Sequence, residues 1–118
     1  MKQPIPKVTD KDVERIALRD FGVEKLSEVM EILEEYGKQE WNRPGSSRVR
    51  LAVLKLADGD LDQLVKYTNV AIQDFRDVIS MAEYPKYSTA IGFESVARKI
   101  QKVAIDSDWE QYQEWLEK

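Results

Sequence analysis

From Leu61 to Ala82 the side chains Leu61, Leu64, Val65, Thr68, Ala71, Ile72, Phe75, Val78, Ile79 and Ala82 follow one another at helical spacings. With Thr68 the single polar member, this three- and four-residue period lays them along one face of an α-helix and does not fit a strand. Asp60 is a good N-cap and Pro85 cannot continue a helix, so the pattern predicts one long helix over about 60–84. An amphipathic helix of that length is stable in water only when other elements cover its apolar face. The sequence contains little else than helical patterns to do so. The fold class it predicts is all-α, a small bundle of about five to six helices, in one domain over residues 1–118.

Residues 1–8 read as an extended arm, because Pro4 and Pro6 lack amide donors and restrict their neighbours. Thr9 and Asp12 form a capping-box pattern ahead of Val13, Ile16 and Ala17, and Phe21-Gly22 ends that first helix. Asp20-Phe21-Gly22 spells a kinase metal motif, but the other kinase segments are missing and the match is chance. A second helix is expected from about Val23 to Gln39, with Gly37 as an alternative end and Val23, Leu26, Met30 and Leu33 inward. Trp41 and the loop Asn42-Arg43-Pro44-Gly45-Ser46-Ser47 follow, with Ser47 as the cap of a third helix that ends at Asp58-Gly59. Beyond the long helix, a fifth is expected from about Phe93 to Ile105, presenting Val96, Ala97, Ile100, Val103 and Ala104. A last helix, capped by Ser107 or Asp108, carries Trp109, Tyr112 and Leu116 on one side.

Composition narrows the chemistry. The chain has no cysteine and no histidine, which removes thiol nucleophiles, disulfides, zinc fingers and the usual neutral-pH general base. Asp, Glu, Lys and Tyr are present, yet no spacing pairs them as acid and base, so no enzyme, metal site or cofactor is expected. No apolar run reaches the roughly 18 residues of a membrane span, and the prolines of "MKQPIPKV" interrupt any signal-peptide core. The expected location is the cytoplasm.

The segment "RVRLAVLKLADGD" raises the question of what two arginines and a lysine do on so apolar a helix. Val49, Ala52, Val53, Leu56 and Ala57 fill one arc, and Leu51 and Leu54 lie outside it, so this helix is expected at the centre of the bundle. Arg48 and Lys55 share its polar sector. Arg50 falls where a neighbouring helix should lie, and a guanidinium there is expected to reach a carboxylate across the contact. Asp74 and Glu83, with Arg76 beside them, complete the expected ion network. The alternative is a nucleic-acid surface from Arg43 through Arg48 to Lys55, a stretch with no acidic residue. The net charge of −4 and the acidic start of the following helix, "DLDQL", weigh against it.

Two further features admit a functional reading. Glu24, Glu28, Glu31 and Glu35 form an acidic ridge along the second helix, read as a solvated face. Trp109, Tyr112, Trp115 and Leu116 form a candidate interaction surface on the last helix, where Trp115 lies off the main stripe. It is expected to cover either this chain's own bundle or a protein partner.

"RVRLAVLKLADGDLDQL", "DFRDVISMAEYP" and "YQEWL" together resemble an uncharacterised group of small bacterial helical proteins. The resemblance covers the middle of the chain and its C-terminal end, implies a helical bundle, and carries no activity. The reading that results is a non-enzymatic helical module that binds a protein partner or itself. The alternative is a nucleic-acid-associated regulator. Neither a membrane nor a small-molecule ligand is expected.

Overall fold

A computed structural model describes residues 5–38, 45–90 and 98–118, with the side chains of 88–90 and 98–101 left aside. Trp41, Arg43, Pro4 and the expected helical positions Phe93, Val96 and Ala97 lie outside the described residues, as does the side chain of Ile100. Seven helices and no strand are found among the described residues: α1 Asp10–Phe21, α2 Leu26–Glu34, α3 Ser46–Ala57, α4 Leu61–Gln73, α5 Phe75–Glu83, α6 Pro85–Ala90 and α7 Arg98–Glu117. The fold is an all-α bundle.

Local chemistry explains most of the boundaries. Thr9 N donates to Asp12 Oδ2 at 3.0 Å, so the shortened capping box opens α1. Gly22, at φ 86°, closes it. The α3 helix stops where Asp58 takes φ 50° and Gly59 φ 79°, and Asp60 at once caps α4 by accepting from Gln63 N at 3.1 Å.

The centre of the bundle is α3. Val49, Leu51, Ala52, Val53, Leu54 and Ala57 are all buried, and α1, α4 and α5 pack around it. Fully burying a leucine or valine contributes about 2 kcal/mol, and ordering these residues consumes much of that gain. A helix buried on several sides needs apolar residues around most of its circumference, which this sequence supplies.

Several boundaries differ from the sequence reading. The long helix is broken: Asp74, at φ −156° and ψ 101°, separates α4 from α5. Its carboxylate accepts from Arg76 N at 3.1 Å, so a side chain inside the apolar period acts as the N-cap of a new helix. Among the described residues, what remains of the expected fifth helix runs on into the sixth as α7, which is the longest helix there. Ser107 and Asp108 therefore sit inside a helix and do not begin one. Pro85, read as a stop, opens α6, where its missing amide costs nothing at the first helical position.

The α2 helix starts at Leu26, and Val23 is 75% exposed rather than inward. Its end matches the Gly37 alternative: Glu35 to Gly37 form a turn with Gly37 at φ 106°. Gly45, not Ser47, caps α3, and the Ser47 hydroxyl instead donates to Asp10 Oδ1 on α1. In the arm, residues 5–8 have no regular secondary structure and Pro6 is buried.

Candidate functional site

The most concentrated polar chemistry lies where α3, α5, α6 and α7 meet. Arg48 Nε donates to Glu83 Oε2 at 2.8 Å and Nη2 to Oε1 at 2.7 Å, a two-pronged ion pair. Glu83 is only 5% exposed, so its partner decides whether that charge is tolerated. The pairing reinforces the positive charge on Arg48, chiefly through the hydrogen bonds and against the cost of burial.

Asp108, buried on α7, accepts from Lys86 N at 3.1 Å and Tyr87 N at 2.9 Å. A carboxylate from another helix thus occupies the place of a cap for α6, satisfying amides that a six-residue helix leaves open. Gln111 Nε2 donates to Ala82 O at 3.3 Å and Glu83 O at 3.4 Å, performing a similar service at the end of α5. Both carboxylates accept a donor on each oxygen.

Beside them Tyr112 is 1% exposed and its hydroxyl is, among the described residues, a buried polar group without a hydrogen-bond partner. Burial holds the phenol well above its ordinary pKa, the Glu83 carboxylate adds to the rise, and Arg48 opposes it. It stays a neutral phenol at any physiological pH. A cavity of about 10 Å³ adjoins it, bounded by Glu83, Tyr84, Asp108 and Trp109 among others, room for about one water molecule.

The expected network of Arg50, Arg76, Asp74 and Glu83 does not assemble. Arg50 faces α2, where Nε donates to Leu33 O and Tyr36 O at 3.1 Å each and Nη2 to Tyr36 O at 2.7 Å. A cation thereby satisfies carbonyls at the negative end of a helix, and no acid is needed. Arg76 pairs with Asp74 within the first turn of α5, at 3.0 and 3.1 Å, and is 78% exposed. Glu83 is taken by Arg48, which helical phase places in the polar sector. The long arginine stem sweeps across neighbouring sectors, so phase alone does not select its partner.

This placement also engages two members of the alternative basic patch. Arg48 is bound to Glu83, and Lys55 is half-buried with its ammonium pKa pushed down by burial, partly countered by Asp108 and Asp58. Arg43 is outside the described residues.

The aromatic group on α7 covers this chain's own bundle. Tyr112 is buried, Trp109 is half-buried beside the small cavity, and Trp115 and Leu116 pack against the main core. Sequence reasoning missed the hold that α1 has on the Trp115–Leu116 end of this group. Arg19 Nη1 donates to Trp115 O at 2.6 Å and Arg15 Nη2 to Leu116 O at 2.9 Å. The Arg19 guanidinium stands 5.2 Å from the Trp115 ring centroid, and the rings of Tyr112 and Trp115 are 5.5 Å apart. No local pattern announces a contact between residues so far apart in sequence.

Apolar side chains remain exposed elsewhere. Val65 is 45%, Ile72 36% and Phe75 42% exposed, the first two on one edge of α4 and the third at the start of α5. Phe75 also borders a cleft of about 290 Å³ with Tyr36, Val49, Ile79 and Tyr84. The cleft's arginines, Arg48 and Arg76, are held by Glu83 and Asp74.

Among the described residues no cluster of acids could hold a metal ion, and no helix is long and apolar enough to cross a membrane. No protein-family model matches this chain, and neither a curated protein nor a solved structure matches it.

Proposed function

We propose that this protein is a non-enzymatic helical interaction module that binds a protein partner through the apolar edge Val65–Ile72–Phe75. The exposure of these three side chains carries the reading. Each is large, and Val65 and Ile72 lie two helical turns apart on the same edge. Apolar groups grouped in this way gain by leaving water, whereas scattered ones need no explanation. The interior titratable groups are committed to holding helices, which supports a role in binding over one in catalysis. The sequestration of Arg48, Arg50 and Lys55 argues against the nucleic-acid alternative.

The test is affinity capture from the native host with and without nuclease, run in parallel on Val65→Glu/Ile72→Glu. Both positions are exposed, so the variant should keep its melting temperature. A stoichiometric protein partner that survives nuclease and is lost with the variant is the expected result. Capture of nucleic acid, or a partner indifferent to the substitutions, would reverse the assignment.

A further inference from the structure

The apolar period of α4 continues through the joint at Asp74 without a change of phase. At 100° per residue counted straight through, Leu64, Thr68, Ala71, Phe75, Val78, Ile79 and Ala82 fall within one arc of about 100°. The bent joint buries all of them except Phe75, which is 42% exposed. What interrupts the helix is one residue. Asp74 N still donates to Val70 O at 2.8 Å, and the extended backbone of that one residue, φ −156° and ψ 101°, turns the chain away from the helical path. At the joint itself Arg76 N, Nε and Nη2 donate to the Asp74 carboxylate, and Asp77 N donates to Asp74 O at 3.2 Å.

We propose that this joint is a two-state hinge through which the chain exchanges its 75–118 segment with a second copy of itself. In the exchanged state α4 and α5 form one continuous helix over 61–83, about 35 Å long at 1.5 Å per residue. The contacts that α5 makes with α3 and α4, and those that α7 makes with α1, are then made between copies. These include Arg48 with Glu83 and Arg19 with Trp115. Because the same contacts are recovered, exchange costs little beyond association and the Asp74 cap. It gains the backbone hydrogen bonds that the joint forgoes and brings Phe75 into the phase of the buried stripe. The hinge rests on the joint itself and goes beyond the interaction surface proposed above. It does not require that surface to bind anything, and Val65→Glu/Ile72→Glu should leave it unchanged.

Two substitutions push the joint in opposite directions. Asp74→Ala removes the cap and supplies the strongest helix former. Phe75→Pro suits the first position of α5 and the extended residue before it, but it breaks a continuous helix. Each protein is refolded from denaturant at high concentration and its mass read by size exclusion with light scattering. The dimer-to-monomer ratio should rise about tenfold over the parent in Asp74→Ala, and Phe75→Pro should remain monomeric.

Spin labels at Asp62→Cys and Met81→Cys, both exposed positions, report the geometry. Labelled chain diluted into unlabelled chain should give about 28 Å in the dimer, the span of 19 helical residues, and a different separation in the monomer. If Asp74→Ala does not fold, Asp74→Glu carries the same comparison with the charge retained. A folded Asp74→Ala that stays monomeric would overturn the proposal. So would a Phe75→Pro variant that dimerises as readily, or a dimer whose labels keep the monomer's separation.

Discussion

Gly37 lies directly against the guanidinium of Arg50: a Cβ added to Gly37 would stand 2.8 Å from Arg50 Nη2. Gly37 is also at φ 106°, a conformation that side chains disfavour. Gly37→Ala therefore meets backbone strain and displaces the arginine from the carbonyls of Leu33 and Tyr36. A loss of about 2–3 kcal/mol in urea unfolding is expected. Arg50→Lys keeps the charge but lacks the planar fork, and about 1 kcal/mol is expected. Equal, negligible effects from both would mean that the α2 terminus does not depend on this contact.

Arg48 and Glu83 can be separated by a double-mutant cycle. Arg48→Met leaves a carboxylate buried without its cation and should cost about 2–3 kcal/mol, discounted for the partial exposure of the arginine. Adding Glu83→Leu removes the stranded charge, and the double variant should recover most of that loss. Additive losses in denaturant unfolding would show that the two side chains act independently.

Tyr112 gives a test by pH. Its proton is held more tightly in the folded chain than in the unfolded one. The stabilisation is complete below the ordinary phenol pKa of about 10 and declines as pH rises above it toward the folded value. Tyr112→Phe abolishes that decline, so the alkaline midpoint of unfolding, followed by circular dichroism, should move up. At neutral pH the loss of an unpartnered hydroxyl should leave stability unchanged or raise it by up to about 1 kcal/mol. A clear destabilisation would reveal a partner, such as a water in the adjoining cavity.

Lys55 distinguishes an interior cation from a phosphate contact. Lys55→Met keeps most of the stem and removes an ammonium that burial disfavours, so stability should be unchanged or rise by up to about 1 kcal/mol. Fluorescence anisotropy with oligonucleotides across a salt series should show the same weak, salt-sensitive binding for parent and variant. A reduced salt dependence in Lys55→Met would return the basic stretch to consideration.

What the sequence made legible was the local part. The central position of α3 followed from apolar residues around its circumference, and the caps Thr9-Asp12 and Asp60 followed from residue type and spacing. The break at Asp74 had a signal that the strong periodicity masked. Asp74 is followed three residues later by Asp77, the spacing that Asp60 and Gln63 show at α4 and Thr9 and Asp12 at α1. Three such starts share a polar cap and a polar residue in the first turn. The partners of Arg50, Arg48 and Arg19 were not legible in the same way. Helical phase tells that a side chain faces a neighbour but does not say which neighbour, and carbonyls at a helix end carry no residue signature.

The tie between α1 and α7 has a consequence for the order of folding. Arg19 reaches Trp115 across 96 residues and Arg15 reaches Leu116 across 101. Closing loops of that length is entropically costly until the helices between them are already packed. These contacts should therefore form after the rate-limiting step, with φ-values near zero. Weakening them by Arg19→Met should leave the refolding rate nearly unchanged and accelerate unfolding. The residues that secure the two ends of the described bundle would then set how long the native state lasts, while the α3 packing sets how quickly it is reached.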